Sequence, residues 1–272
     1  MKRLAFLLLV LVPALRAEFE TQSIGGTVVV IGWSSTKIAV AVDSRGFDDT
    51  GKYRDDICKI VRLDGHSIFT AAGNIIHARD GRALWNAQEA ASAAFKQAQT
   101  AGSAPRLSTA ARSWGDHMVA SINQALASDP SGSMLMLENN IFLTGVFTGF
   151  ENGSTELYQV EIEFDSDTRQ AKEKFYPERQ RRTIHFGALG RNEIVNEVVA
   201  DKTRFARAEQ RKWAASETNI PARDRDARWA IRLVQLTMMY HPQKADVGGP
   251  IDALEITSKG IRWVERKPGC NP

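Results

Sequence analysis

Apolar residues along the chain gather into two kinds of block. Residues 27–31 and 37–43 are short runs dense in Val, Ile and Ala, divided by the turn-like Gly32-Trp33-Ser34-Ser35, and they predict a pair of strands. Residues 57–63 and 67–72 predict a second pair around Asp64-Gly65, a hairpin signal. From 78 to 100 the chain is rich in Ala and Gln and has no Pro, and no Gly after Gly81, which predicts a helix ended by residues 102–106. Ser108 is expected to cap a second helix that runs to about Ala127 and is closed by Ser131-Gly132-Ser133.

Strand patterns return at 141–149, 155–163 and 172–176, the first two joined across Glu151-Asn152-Gly153, with a short strand at 183–186 before Gly187. Residues 192–214 carry an apolar stripe (Ile194, Val195, Val198, Phe205), as do residues 222–240 (Ala230, Ile231, Val234, Leu236), and both predict helices. A closing hairpin is expected from 251–257 and 260–265 across Ser258-Lys259. The order is strands, two helices, strands, two helices, strands. Such segregation argues for an α+β fold in layers, with two antiparallel sheets between helix pairs. The pattern alone leaves several α+β folds open. No repeat, linker or low-complexity stretch divides the chain, so residues 27–272 are expected to form one domain.

The first residues have a different character. Lys2 and Arg3 precede an apolar run over 4–12, then Pro13 and a small residue, Ala17. Basic start, short apolar middle and small end are the three parts of a secretory signal peptide, so residues 1–17 are expected to be removed and the protein secreted or periplasmic. The run is about half the length of a membrane-spanning helix, and no other stretch is apolar enough to span. The formal net charge of +3 falls to zero once Lys2, Arg3 and Arg16 leave, since no acid leaves with them. Overall charge therefore gives no support for a nucleic-acid or acidic-membrane partner. Arg179-Gln180-Arg181-Arg182 is short, lacks interleaved aromatics, and reads as a solvated loop. The five histidines are scattered without zinc spacing, and neither a phosphate-binding loop nor GxGxxG is present, so no metal or organic cofactor is implied. Asn152-Gly153-Ser154 reads as a turn ahead of a glycan site. The two cysteines, Cys58 and Cys270, allow one bridge or a buried thiol in the strand pattern around Cys58, and both readings stand.

Gly25-Gly26-Thr27 stands directly before the first predicted strand. A turn explains it. So does a cut after Gly26, which would make Thr27 a new N-terminus whose own α-amine, titrating near 8, can serve as general base for its hydroxyl. That chemistry also needs a lysine to favour the alkoxide, an acid to hold the lysine, and a backbone N–H for the oxyanion. Asp43 in "AVDSRG" lies 16 residues after Thr27, Lys59 in "DICKIV" 16 after Asp43, and Gly73 in "TAAGN" 14 after Lys59.

Those residues and spacings resemble β-type proteasome subunits, a family of the N-terminal-nucleophile hydrolases. "AVDSR" is similar to the family's strand end, "VGGPIDALEITSKGIRWV" to its last hairpin and "GVFTGF…LYQVE" to its central hairpin, so the resemblance covers about 26–265. It implies a four-layer αββα fold and a threonine protease with Thr27 as nucleophile, Asp43 as acid, Lys59 as charge stabiliser and Gly73 as oxyanion donor. It also implies a propeptide at 18–26 removed by self-cleavage after Gly26. Gapless matching assigns Gly46, Ile57, Val61, Ala71, Ile75 and Arg79 to the pocket for the residue before the cut bond. That pocket is mostly apolar with one cation, although the same positions suit a core. The implied partners are peptides or unfolded proteins and further copies of the chain in a homo-oligomer. The chain departs from the family where a supporting serine is expected at Ala188, and again in Lys244-Ala245-Asp246-Val247, where Lys244 and Val247 replace an acid and a serine and Asp246 stands two residues from the acid's place. A non-catalytic member with a binding or assembly role, and an amidase for small molecules, are the alternative expectations.

Overall fold

A computed structural model describes residues 21–24, 27–47, 52–79, 82–102, 105–128, 140–177, 183–242 and 246–270. The expected signal peptide, Gly25-Gly26, Ser131-Gly132-Ser133, Arg179 to Arg182 and Lys244 lie outside them. In chain order the elements are β1 (Thr21–Ile24), β2 (Val28–Trp33), β3 (Lys37–Asp43), β4 (Gly46–Phe47), β5 (Tyr53–Arg54), β6 (Ile60–Arg62), β7 (Ser67–Gly73), β8 (Ile76–Arg79) and β9 (Arg82–Asn86). Then come α1 (Ala87–Thr100), α2 (Arg106–Ser128), β10 (Ile141–Glu151), β11 (Ser154–Asp165), β12 (Gln170–Pro177) and β13 (His185–Gly190). Last are α3 (Glu193–Ala200), α4 (Arg204–Glu217), α5 (Arg225–Tyr240), β14 (Ile251–Thr257) and β15 (Gly260–Glu265).

Two five-stranded sheets dominate, ordered β12-β11-β10-β7-β6 and β13-β2-β3-β14-β15, and every pairing in them is antiparallel. Strand periodicity decides what each sheet face meets. In β2, Val28 and Val30 join Ala41, Ala253 and residues of α3 and α5 in one core, while Val29 and Ile31 turn the other way. There they meet Val40, Val42, Ile68, Ala72, Val146 and Leu157, a core contributed by both sheets. The far face of the first sheet packs on α1 and α2 around Trp114, whose ring lies 5.3 Å from Phe69 and whose Nε1 donates to the Ala87 carbonyl at 2.9 Å. Strands buried on both faces explain the near-continuous apolar runs of β2 and β3. The architecture is α+β, with helices, sheet, sheet and helices in succession.

The structure corrects several sequence expectations. Residues 78–79 and 82–86 are strand, not helix: β8 pairs with β9 and, on its other side, with β1, in register from Thr21 opposite Arg79 to Ile24 opposite Ile76. The helix starts only after Asn86, whose side chain caps it by accepting from the Gln88 and Glu89 amides. The helix expected over 192–214 is two, broken where Asp201 takes a left-handed φ of 51°. Ser108 lies inside α2, which begins at Arg106. Glu151 caps it from the end of β10, accepting from the Arg106 amide at 2.9 Å and the Leu107 amide at 3.3 Å. The strand expected over 57–63 is confined to β6, and residues 55–59 are irregular. Cys58 and Cys270 form a disulfide, so Cys58 is not a free thiol. No helix among the described residues is long and apolar enough to cross a membrane.

Candidate functional site

Thr27 immediately precedes β2, and Asp43 ends β3, the strand hydrogen-bonded beside it. The antiparallel ladder therefore returns Asp43 to the start of β2 by construction. Its Oδ1 accepts the Val28 amide at 3.0 Å, one residue from Thr27, and the same oxygen accepts Lys59 Nζ at 3.0 Å. Its Oδ2 accepts the Gly248 amide at 3.0 Å. The loop before β14 is itself held in place, because the Gly248 carbonyl accepts the Ser44 and Arg45 amides at 3.1 and 3.0 Å. Lys59 also donates to the Arg45 carbonyl, and the Lys59 and Asp43 side chains are wholly buried.

Burial sets the electrostatics of the pair. Desolvation pushes the Asp43 carboxyl up and the Lys59 amine down, against their mutual attraction and, for Asp43, against the two backbone N–H groups. An ammonium that holds its proton less firmly is a stronger hydrogen-bond donor to a developing alkoxide. The ion pair thus joins the start of β2 to Lys59 through one oxygen.

Gly73 ends β7 with φ +97°, and a Cβ there would stand 2.6 Å from the Phe142 carbonyl oxygen. Only glycine suits that turn. Gly190 closes the other side. Its φ is +71°, and a Cβ on it would lie 2.0 Å from the Thr27 carbonyl oxygen and 3.2 Å from the Ala72 methyl. The next amide, Arg191, donates to that Thr27 carbonyl at 2.9 Å. Ala72, Gly73, Leu189 and Gly190 border one cleft of about 250 Å³ at the open end of the space between the sheets, with Thr144, Gln159 and Glu161 on its polar side. Asp43 and Lys59 are thereby brought together against the residue after Thr27, while Gly73 borders a cleft whose Gly190 rim meets the Thr27 carbonyl and whose lining includes none of Thr27, Asp43 and Lys59.

The pocket residues expected from matching lie in several elements. Ala71 and Ile75 are buried in the core beneath α1 and α2, and Val61 packs against that core. Ile57 is buried and its carbonyl accepts the Lys267 ammonium, and Gly46 is buried in β4. The backbone of Arg79 pairs with Thr21 and Arg82, and its side chain lies outside the described residues. None of the six borders the cleft beside Gly73.

The departures have clear places too. Ala188 lies in β13 opposite Val30, and Val247 is buried in the core between the second sheet and α5. Asp246 turns to Arg191, 2.6 Å from its guanidinium, and so braces the residue whose amide holds Thr27. Sequence reasoning missed Gly190, Arg191, Gly248 and the Arg45 carbonyl, because three of these act through backbone atoms that any residue type supplies. Among the described residues no cluster of His, Cys, Asp or Glu has metal-binding geometry.

Gly190→Ala is expected to lower unfolding free energy by about 1–3 kcal/mol, since the methyl meets backbone at a positive φ and cannot be relieved by a rotamer change. Urea unfolding of the two proteins measures it. Equal stability would mean that Thr27 is not gripped there. The chain matches no protein-family model and no curated protein, so the function of this cluster rests on its own geometry and chemistry.

Proposed function

We propose that the chain is an exported amide-bond hydrolase of the N-terminal-nucleophile type, with the αββα fold and threonine-protease chemistry of the β-type proteasome subunits it resembles. Thr27 is the nucleophile, freed by self-cleavage after Gly26. One observation carries this: a single buried oxygen of Asp43 holds both Lys59 and the amide next to Thr27.

Self-cleavage begins with attack of the Thr27 hydroxyl on the Gly26 carbonyl carbon. The C–N bond breaks, the nitrogen takes a proton, and an ester links the two residues. Water hydrolyses the ester, which leaves a Gly26 carboxylate and a Thr27 bearing both amine and hydroxyl. In turnover the amine takes the hydroxyl proton as Thr27 attacks a substrate carbonyl and returns it to the departing amine, and water then hydrolyses the acyl ester, which releases the carboxylate product and restores the hydroxyl. The charge on Lys59 favours the alkoxide, and the amide of Gly73 receives the oxyanion. The substrates are peptides or unfolded proteins cut after apolar residues, and copies of the chain assemble into a homo-oligomer.

A second reading has its own support. Ala188 and Val247 offer no hydroxyl to orient the amine, which suits a non-catalytic member with a binding or assembly role. Intact mass of the purified, exported protein separates the two. The hydrolase is expected to begin at Thr27, whereas a chain that still carries residues 18–26 would overturn the proposal.

A further inference from the structure

Lys59 lies in an irregular segment, one residue before β6, so no ladder fixes its backbone. Side-chain ties hold the four residues ahead of it. Asp55 takes both nitrogens of the Arg45 fork at 2.7 and 2.9 Å, and Asp56 takes the Arg54 fork at 3.1 and 2.9 Å. The last two residues are tied to the end of the chain. The Ile57 carbonyl accepts the ammonium of Lys267, and Cys58 is bonded to Cys270, 212 residues away.

Lys267 is an unusual residue for that task. It is only 6% exposed, and burial pulls its amine below the ordinary lysine range. A lysine is rarely buried without a partner that repays its desolvation. Its own amide donates to Asp252 at 2.8 Å, and Asp252 stands in β14 opposite Val42, the neighbour of Asp43. The tail therefore runs from the strand beside the acid to the segment beside the lysine. Arg266 steadies it, with its guanidinium on the Cys270 carbonyl and over the Trp263 ring.

We propose that the tail from Lys267 to Cys270 is a positioning strap for Lys59, with Lys267 as its positioning residue and the disulfide as its lock. The strap rests on the proposed hydrolase for its effect on rate, but not for its effect on local order. A thiol reductant opens it. The two thiols of dithiothreitol reduce the bridge, the S–S bond breaks, Cys58 and Cys270 each become a thiol, and the reagent closes to its cyclic disulfide. The Lys267 contact with the Ile57 carbonyl, the Gln88 side-chain amide on the Cys58 carbonyl at 2.5 Å and the exposed Asp55 and Asp56 forks remain, the forks contributing little.

The experiment follows the folded, exported protein before and after dithiothreitol, and again after reoxidation with oxidised glutathione. Amide hydrogen exchange of residues 55–62 should speed up by about tenfold or more on reduction, while 37–43 in β3 keeps its protection, and reoxidation should restore the first value. With a fluorogenic peptide amide ending in an apolar residue, kcat should fall about 10- to 100-fold with KM little changed, as for a displaced catalytic group. Lys267→Met should repeat both effects with the bridge intact, and Lys267→Arg should restore part of the rate. Unchanged exchange at 55–62 after reduction would overturn the strap. An inactive oxidised protein that nonetheless shows the exchange change would uphold the strap as a clamp and sink the hydrolase instead.

Discussion

Thr27→Ala should leave the bond after residue 26 uncut and reduce amide hydrolysis by about 10⁴-fold or more, to the limit of detection. Without the hydroxyl there is no internal attack on Gly26, so neither the ester nor the free amine can form. The fold should tolerate the change. Residue 27 precedes β2 instead of pairing within it, and its backbone carbonyl, which accepts from Arg191, is retained. Thr27→Ser keeps a hydroxyl on Cβ, primary instead of secondary, and should still process, more slowly or with partial yield. Intact mass and the same peptide amide decide the matter. A Thr27→Ala protein that begins at residue 27 would mean that another protease makes the cut. One that also retains hydrolysis would end the nucleophile assignment.

Lys59→Ala should cost several hundredfold in turnover, about the loss caused by removing a main electrostatic stabiliser. It should also destabilise the fold by about 3–5 kcal/mol, because Asp43 is left as a buried, uncompensated charge. The second effect could masquerade as the first. A paired replacement separates them: Asp43→Asn with Lys59→Met removes both charges at nearly constant volume. Replacing a buried ion pair by neutral groups is often close to neutral for stability. The doubly changed protein should recover most of the lost unfolding free energy in urea titrations, yet remain inactive. Recovery of hydrolysis together with stability would make Asp43–Lys59 a structural pair and nothing more.

Legibility differed sharply between local and distant effects. Strands β3, β14 and β15 were readable to the residue, because each is a dense apolar run bounded by a tight turn. Residues 78–79 and 82–86 misled because Ala, Arg and Asn carry no strong strand preference; what makes them strand is that β8 and β9 pair with each other and that residues 21–24, far away along the chain, pair with the other edge of β8. Likewise nothing in the apolar stripe of 192–214 announces the left-handed Asp201 that splits α3 from α4. The closeness of Asp43 to the start of β2 was legible, since two neighbouring strands in register dictate where it returns; Lys59 beside it was expected only from the family resemblance. The donors that complete the cluster were not, since the Gly248 amide and the Arg45 carbonyl are main-chain atoms brought in by loops. The tie between Ile57 and Lys267 was hidden for a related reason. A lysine in a terminal segment reads as solvated until its burial is seen.

Chain order gives the cluster a clock. Strand β3 has β2 on one edge, available as soon as the first 43 residues exist, but its other edge stays open until β14 arrives. Asp43 receives its Gly248 amide from that same late segment, and the strap behind Lys59 waits for Cys270, 212 residues after Cys58. A nascent chain emerging N-terminus first thus carries Thr27 early and the parts that would activate it late. Premature scission would strand a half-folded polypeptide with a free amine and an unpaired strand edge, a species prone to aggregation. In the proposed hydrolase, a cut that waits for β14 and the strap would make the new N-terminus a mark that both edges of β3 are closed.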